Sequence, residues 1–135
     1  MRLVAFCSEY QITVDSARNR IFYKHYAEIA EASDLPDYLT DWQLALQTMQ
    51  PGFTILNDMT DLPVVSDHLA GLIGQAQELV IELGVLLVAT VHAPGSETYY
   101  TSLVVREESS LPVRTFTDLW EADRFLDQLV AETAF

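Results

Sequence analysis

The sequence has little positive charge, a single cysteine and no long apolar run. Seven lysine and arginine residues face 20 acidic residues in a chain of 135, which gives a formal net charge of -13. Binding to nucleic acid or to an anionic membrane depends on basic groups that displace counterions, so neither is expected as a partner. Acidity of this kind is typical of a soluble protein that charge repulsion keeps dispersed.

Signals for disulfides, export and membrane insertion are equally sparse. Cys7 stands alone, so no disulfide is expected within the chain and a reducing compartment is favoured. The start, "MRLVAFC", is too short for the core of a signal peptide. The longest apolar run, "LGVLLVATV", has about half the length of a membrane span. These absences predict a cytoplasmic protein with no membrane attachment.

Apolar periodicity is what the sequence does have, and it predicts a single α/β domain over residues 1–135. The segments "EYQITVD" and "RIFYKHYAEI" alternate apolar and polar residues, as the strands of a hairpin do. Helical spacing recurs in 34–49, in 66–83 and from Asp118 onward, while "FTIL", "VLLVATV" and "PVRTFT" are typical of buried strands. A helix over 96–108 completes the order ββαβαβαβα. The pattern predicts a mixed, mostly parallel sheet of about five strands with about four helices.

One face of this predicted sheet lacks an obvious cover. Crossovers that all step in the same direction place their helices on the same face of a sheet. The segment "VLLVATV" is nevertheless apolar on both faces, so the other face also needs to be buried. The candidates for covering it are the N-terminal segment, one of the helices or a second subunit, and a homodimer is therefore expected.

The element order, together with "DLPVVSDHLAGLIG" after the third predicted strand, resembles the STAS domain, the fold of anti-sigma factor antagonists. The segments "GFTILNDMTDLP" and "PVRTFTDLWEADRFL" are similar to those of stand-alone SpoIIAA-like bacterial proteins. The likeness extends over residues 9–132. This resemblance implies a SpoIIAA-like fold with a binding or regulatory role.

The resemblance also singles out the residues that follow the third predicted strand. In phospho-regulated STAS proteins a serine opens the next helix, within a pattern like Asp-Ser-Ser-Gly-Leu. A gap-free alignment that starts at Asp61 and Leu62 puts Asp67 at the position of that serine, with Ser66 one residue before it and His68 one residue after it. The glycine that should follow is replaced by Leu69. The phospho-switch signature is therefore interrupted, and Ser66 is the remaining candidate for phosphorylation.

Each residue of this corner, which we define as residues 58–68, also has a structural interpretation. Ser66 is placed to cap the helix by accepting a hydrogen bond from a backbone N–H. Asp67 in the first turn complements the helix dipole. His68 lies near Asp58 and Asp61 in sequence, but these residues lack the spacing of a metal site, so His68 is interpreted as an exposed residue.

No catalytic constellation accompanies the corner. The sequence has no G-x-S-x-G elbow, and "HAPGSE" has one glycine and no lysine, unlike a phosphate-binding loop. Cys7 has apolar neighbours in sequence, while His25 and His92 are predicted to be packing or strand-edge residues. The aromatic residues are predicted to belong to the core rather than to a pocket: Tyr23, Tyr26, Tyr38, Trp42, Tyr99 and Tyr100. No enzymatic activity, cofactor or metal is expected.

Two functions from different classes fit these observations. The leading hypothesis is a non-enzymatic binding or regulatory protein that presents the corner to a protein partner. Its candidate partner-binding residues are Asp58, Asp61, Ser66, Asp67 and His68. The alternative is a carrier of a small apolar or lipid-like ligand, because the STAS layout is similar to part of the Sec14-type lipid-binding fold.

Overall fold

The fold is given by a computed structural model, which describes residues 1–26, 37–61, 67–95 and 112–133, with the side chains of 67–70 excepted. The elements within these ranges are β1 (Arg2–Phe6), β2 (Tyr10–Asp15), β3 (Arg20–His25), α1 (Tyr38–Leu46), β4 (Thr54–Asp58), α2 (Asp67–Glu82), β5 (Leu87–Val91), β6 (Val113–Phe116) and α3 (Leu119–Thr133).

The described strands form one sheet, in which they follow the order of the sequence from β1 to β6. β2 pairs antiparallel with both β1 and β3, and the remaining neighbours are parallel. The predicted mixed, mostly parallel sheet is therefore confirmed. The structure adds β1, which the periodicity does not predict, because the five residues "RLVAF" are too few and too uniformly apolar to alternate.

The other predicted elements differ from the structure mainly at their ends. The second hairpin strand, predicted over 20–29, ends at His25, and the helix predicted over 34–49 is α1. The helix predicted from residue 66 begins at Asp67. The helix predicted over 96–108 lies outside the described residues.

The first face of the sheet carries the larger core, together with α1 and α2. The alternation in β2 places Tyr10, Ile12 and Val14 on this face, each at most 3% exposed. Trp42 of α1 and Val80 of α2 pack in the same cluster. The crossover helices of the described part thus share one face, as their common direction along the sheet predicts.

The second face is covered by α3, which packs over β4, β5 and β6. Ala122 and Leu126, one helical turn apart and both 0% exposed, pack against Leu56, Ala89 and Val91. Of the three predicted covers, a helix is therefore the one found over these strands. No described helix lies over β1 and β2 on this face.

A buried arginine holds α3 in this position. Arg20, at the start of β3, is 1% exposed, and its Nε donates a hydrogen bond of 2.9 Å to Oγ1 of Thr54. Its Nη1 donates to Oδ1 of Asp123 and to Oδ1 of Asp127, each over 2.8 Å. The two aspartates are one turn apart on α3, so one guanidinium reaches both. A charge-assisted network thereby joins β3, β4 and α3.

Replacing Arg20 with alanine should destabilise the fold strongly, because the buried Thr54 hydroxyl loses its donor, Asp123 and Asp127 lose the shorter of their ion pairs, and a cavity opens beneath α3. We expect the free energy of unfolding, measured with urea, to fall by about 3 kcal/mol. Arg18→Ala is the matched control. Arg18 contacts the same two aspartates, but its side chain is 35% exposed, and exposed ion pairs contribute less than about 1 kcal/mol. Equal losses in the two variants would contradict the role given to Arg20.

Candidate functional site

A groove opens on the second face of the sheet, beside the start of α3. It has a volume of about 440 Å³. Phe22 of β3 and Leu56 of β4 form its floor, and Leu119 and Trp120 of α3 form one wall. Its polar lining consists of Gln11, Thr13, Lys24, Asp58 and Asp123. The groove exists because α3 lies over β4, β5 and β6 and reaches β3 only beside Arg20 and Phe22.

Large apolar side chains around the groove are exposed. Trp120 is 71% exposed, and Leu3 and Phe6 of β1 are 56% and 67% exposed. Leu3 lies opposite Thr13 in the sheet, and Phe6 lies opposite Gln11. Directly opposite residues of antiparallel strands share a face, so Leu3 and Phe6 stand on the same face as the groove. We call the groove with these exposed side chains the open face.

The corner meets the open face at Lys24 and Asp58. Asp58 is 8% exposed and accepts hydrogen bonds from the backbone N–H and the hydroxyl of Thr60, over 3.1 and 2.6 Å. Lys24 Nζ lies 3.4 Å from carboxylate oxygens of both Asp58 and Asp61. Burial acts to lower the pKa of Lys24, but the two carboxylates outweigh it and raise that pKa above its ordinary value. Lys24 is therefore charged and held between the two carboxylates.

Of the predicted site residues, the structure brings Asp58 and Asp61 together around Lys24. Asp61 has a side chain that is 55% exposed and can meet a partner, whereas Asp58 mainly holds the turn. Asp67 and His68 are the first two residues of α2, and their side chains are not among those described. Ser66 lies outside the described residues, so its capping and its phosphorylation both stay predictions.

Sequence reasoning does not find the groove, although a signal for it is present. Trp120 falls outside the apolar stripe of the last helix, and a tryptophan off the stripe of an amphipathic helix is exposed to solvent. Leu56 belongs to "FTIL", which is typical of a buried strand, and Phe22 is an apolar residue on the polar side of an alternating strand. Both indicate a second buried face but not a gap in its cover.

A second cluster of polar and aromatic side chains is buried between the sheet and α1. The Tyr10 hydroxyl donates a hydrogen bond of 2.5 Å to Oδ2 of Asp41, and the Tyr23 hydroxyl lies 2.5 Å from Nδ1 of His25. Burial raises the pKa of Tyr23 well above its ordinary value, and burial together with Asp41 raises the pKa of Tyr10. Both phenols therefore stay protonated in the core, where the Tyr10 hydroxyl donates to Asp41.

The exposed fractions of the aromatic and histidine side chains test most of the predictions made for them. Tyr23, Tyr38 and Trp42 are at most 4% exposed, which confirms that they belong to the core. The prediction that His25 and His92 are packing residues is also confirmed, since they are 0% and 3% exposed. Tyr26 is half-buried beside the open face, where its hydroxyl donates to Oε1 of Gln11. Tyr99 and Tyr100 lie outside the described residues.

Among the described residues, no group of three or more His, Cys, Asp or Glu side chains is arranged to hold a metal ion. No helix in that part of the chain is long and apolar enough to cross a membrane.

The fold should weaken in mild acid, because burial lowers the pKa of His92 to about 4. The unfolded chain binds a proton at this residue below about pH 6.5. Stability from the neutral ring is therefore fully present above pH 6.5 and is lost as the pH falls towards 4. Between pH 7 and pH 5, we expect the wild type to lose about 2 kcal/mol more than His92→Asn in urea unfolding. The same pH dependence in both proteins would contradict this assignment.

Comparison with known proteins identifies the fold. No model of a known protein family matches the sequence, and no curated protein matches it. A crystal structure of an uncharacterized protein of the DUF3478 family from Shewanella loihica PV-4, with a SpoIIAA-like fold, matches this chain with a TM-score of 0.67 and 17% sequence identity. The match covers 90% of this chain and 97% of the other. At this identity the likeness shows the fold alone, and it confirms the prediction: the chain has a SpoIIAA-like fold.

Proposed function

We propose that this chain is a non-enzymatic binding protein that presents the corner and the adjoining open face to a protein partner. The observation that carries the proposal is the exposure of Trp120, 71% of which faces solvent at the wall of an apolar groove. Exposed apolar surface with a polar rim is typical of interaction sites. Tryptophan is also enriched among the residues that dominate binding energy in protein interfaces.

The corner and the open face form one continuous surface. Lys24 and Asp58 line the groove, and Lys24 also pairs with Asp61 beyond it. A partner that inserts an apolar side chain beside Trp120 is thus within reach of the Asp61 carboxylate. This arrangement has the anatomy of a protein interface, with an apolar centre and a charged rim.

Affinity capture with variants tests this proposal. The immobilised wild type should retain a specific protein from lysate that Trp120→Ala loses, because removal of a central interface aromatic costs about 2 kcal/mol or more, or about 30-fold in affinity. Asp61→Asn should weaken retention less, since a rim charge contributes up to about 1 kcal/mol.

Leu44→Ala and Glu78→Gln are the matched controls, because both positions are exposed on the helices of the first face. Both control proteins should retain the partner as the wild type does. Retention of the same proteins by wild type, Trp120→Ala and Asp61→Asn would refute the proposal.

A second candidate function is transport of a small apolar ligand in the groove. The volume of about 440 Å³ favours it, since ligand sites in proteins span about 300–1,000 Å³. Phe22 and Leu56 supply an apolar floor, and Lys24 and Thr13 supply polar groups at the side. A carrier would hold a small apolar molecule in the groove that the first proposal assigns to a side chain of a protein partner.

Native mass spectrometry distinguishes the carrier from the protein-binding module. For a carrier, the purified protein should show a mass excess that denaturation releases. Thr13→Trp, which fills the groove, should abolish that excess, whereas Leu44→Trp on exposed α1 should retain it. A wild-type mass equal to that of the bare chain would rule out a retained ligand.

A further inference from the structure

We infer that the partner segment recognised by the open face is a basic amphipathic helix. This inference rests on the proposed function and specifies the chemistry of the partner. Three features of the described residues support it: the space left beside α3, the apolar side chains within that space, and the charges around it.

The space has the dimensions of a helix. α3 covers β4, β5 and β6, and no described helix lies over β1 and β2 on the same face. Strands lie about 4.8 Å apart, so the strip from β1 to the axis of β3 is about 10 Å wide, which matches the diameter of about 10 Å of a helix with its side chains. A helix placed beside α3 would complete this layer of the fold.

The apolar side chains suit one stripe of such a helix. Leu3 and Phe6 stand on the β1 side of the groove, Phe22 lies on its floor and Trp120 stands on the α3 side. Apolar anchors at positions i, i+3, i+4 and i+7 of a bound helix enter grooves of this kind. α3 offers a precedent within the chain, since Ala122 and Leu126 at i and i+4 bury against the same sheet.

The charges around the open face select a basic partner. The described carboxylates that line the groove or pair with the cations beside it are Asp15, Asp58, Asp61, Asp123 and Asp127, and those cations are Arg18, Arg20 and Lys24. Arg18, Arg20 and Lys24 are already in ion pairs with these carboxylates. Carboxylates are thus in excess, and lysine or arginine residues of a partner would complement them.

The same charges argue against a second copy of this chain as the occupant. The whole chain carries a formal net charge of -13, so self-association through the open face would place two acidic surfaces against each other. The same negative potential that repels a second copy of this chain attracts a basic helix.

Three synthetic 18-residue peptides test the inference: an amphipathic leucine–lysine helix, a scrambled peptide of the same composition, and an amphipathic leucine–glutamate helix. We expect the leucine–lysine helix to bind at least tenfold more tightly than the other two, in calorimetry at about 0.1 M salt. Its helical circular dichroism should rise on binding. Trp120→Ala should weaken binding about tenfold or more, and Asp61→Asn about threefold.

Leu44→Ala and Glu78→Gln again serve as controls and should bind the leucine–lysine helix as the wild type does. Equal affinity for the scrambled peptide would overturn the inference, because net charge alone would then explain binding. Equal affinity for the leucine–glutamate helix would overturn it in favour of apolar contact alone. A dimer in light scattering that Trp120→Ala converts to a monomer would overturn it in favour of a second copy.

Competition separates this inference from the proposed function. A captured partner that the leucine–lysine helix displaces supports both. A partner that Trp120→Ala loses, but that the leucine–lysine helix fails to displace, overturns the inference and leaves the proposed function standing. Equal capture by wild type and Trp120→Ala overturns the proposed function itself.

Discussion

The position of the last helix depends on the guanidinium of Arg20. A buried cation is stable only when opposite charge and hydrogen-bond acceptors surround it, and here Thr54 supplies a hydroxyl while Asp123 and Asp127 supply carboxylates. Those three partners come from β4 and from α3. The hydrogen bonds and ion pairs of the Arg20 guanidinium therefore fix α3 relative to β3 and β4. The apolar contacts of Ala122 and Leu126 are less directional, since they would tolerate a shift of the helix along the sheet.

The same constraint produces the open face. Because Arg20 holds α3 over β4 to β6, the side chains that face the groove from β1 to β3 lack a cover among the described helices. Lys24 and Asp58 then connect this uncovered region to the corner that the STAS resemblance singles out. Core packing, the groove and the corner are therefore consequences of one arrangement. Binding at the open face is the role that this arrangement supports best.

The sequence predicts those parts of the molecule that depend on local periodicity. Alternation places Tyr10 and Ile12 in the core, and the helical spacing after Asp118 places Leu126 against the sheet. Long-range pairing is not encoded in such patterns: Arg20 and Asp123 lie 103 positions apart, and nothing beside either residue indicates the other. The groove is likewise a gap between elements and belongs to no single segment. The signal for the groove in the sequence is Trp120, which lies outside the apolar stripe of α3. Such a position predicts that the side chain is exposed, but it does not predict which strand lies beside it.

The strand order of the described sheet has a consequence for how the domain assembles. Because the strands pair in the order in which a ribosome makes them, each can dock on the edge left by the previous one. α3 is synthesised after all six strands, and until it docks Leu56 and Val91 face water and Arg20 lacks its carboxylates. Docking of this acidic helix therefore follows the synthesis of the strands that it covers. Because that helix also supplies Trp120, a nascent or partly folded chain has no complete open face, so the proposed binding would require the finished domain.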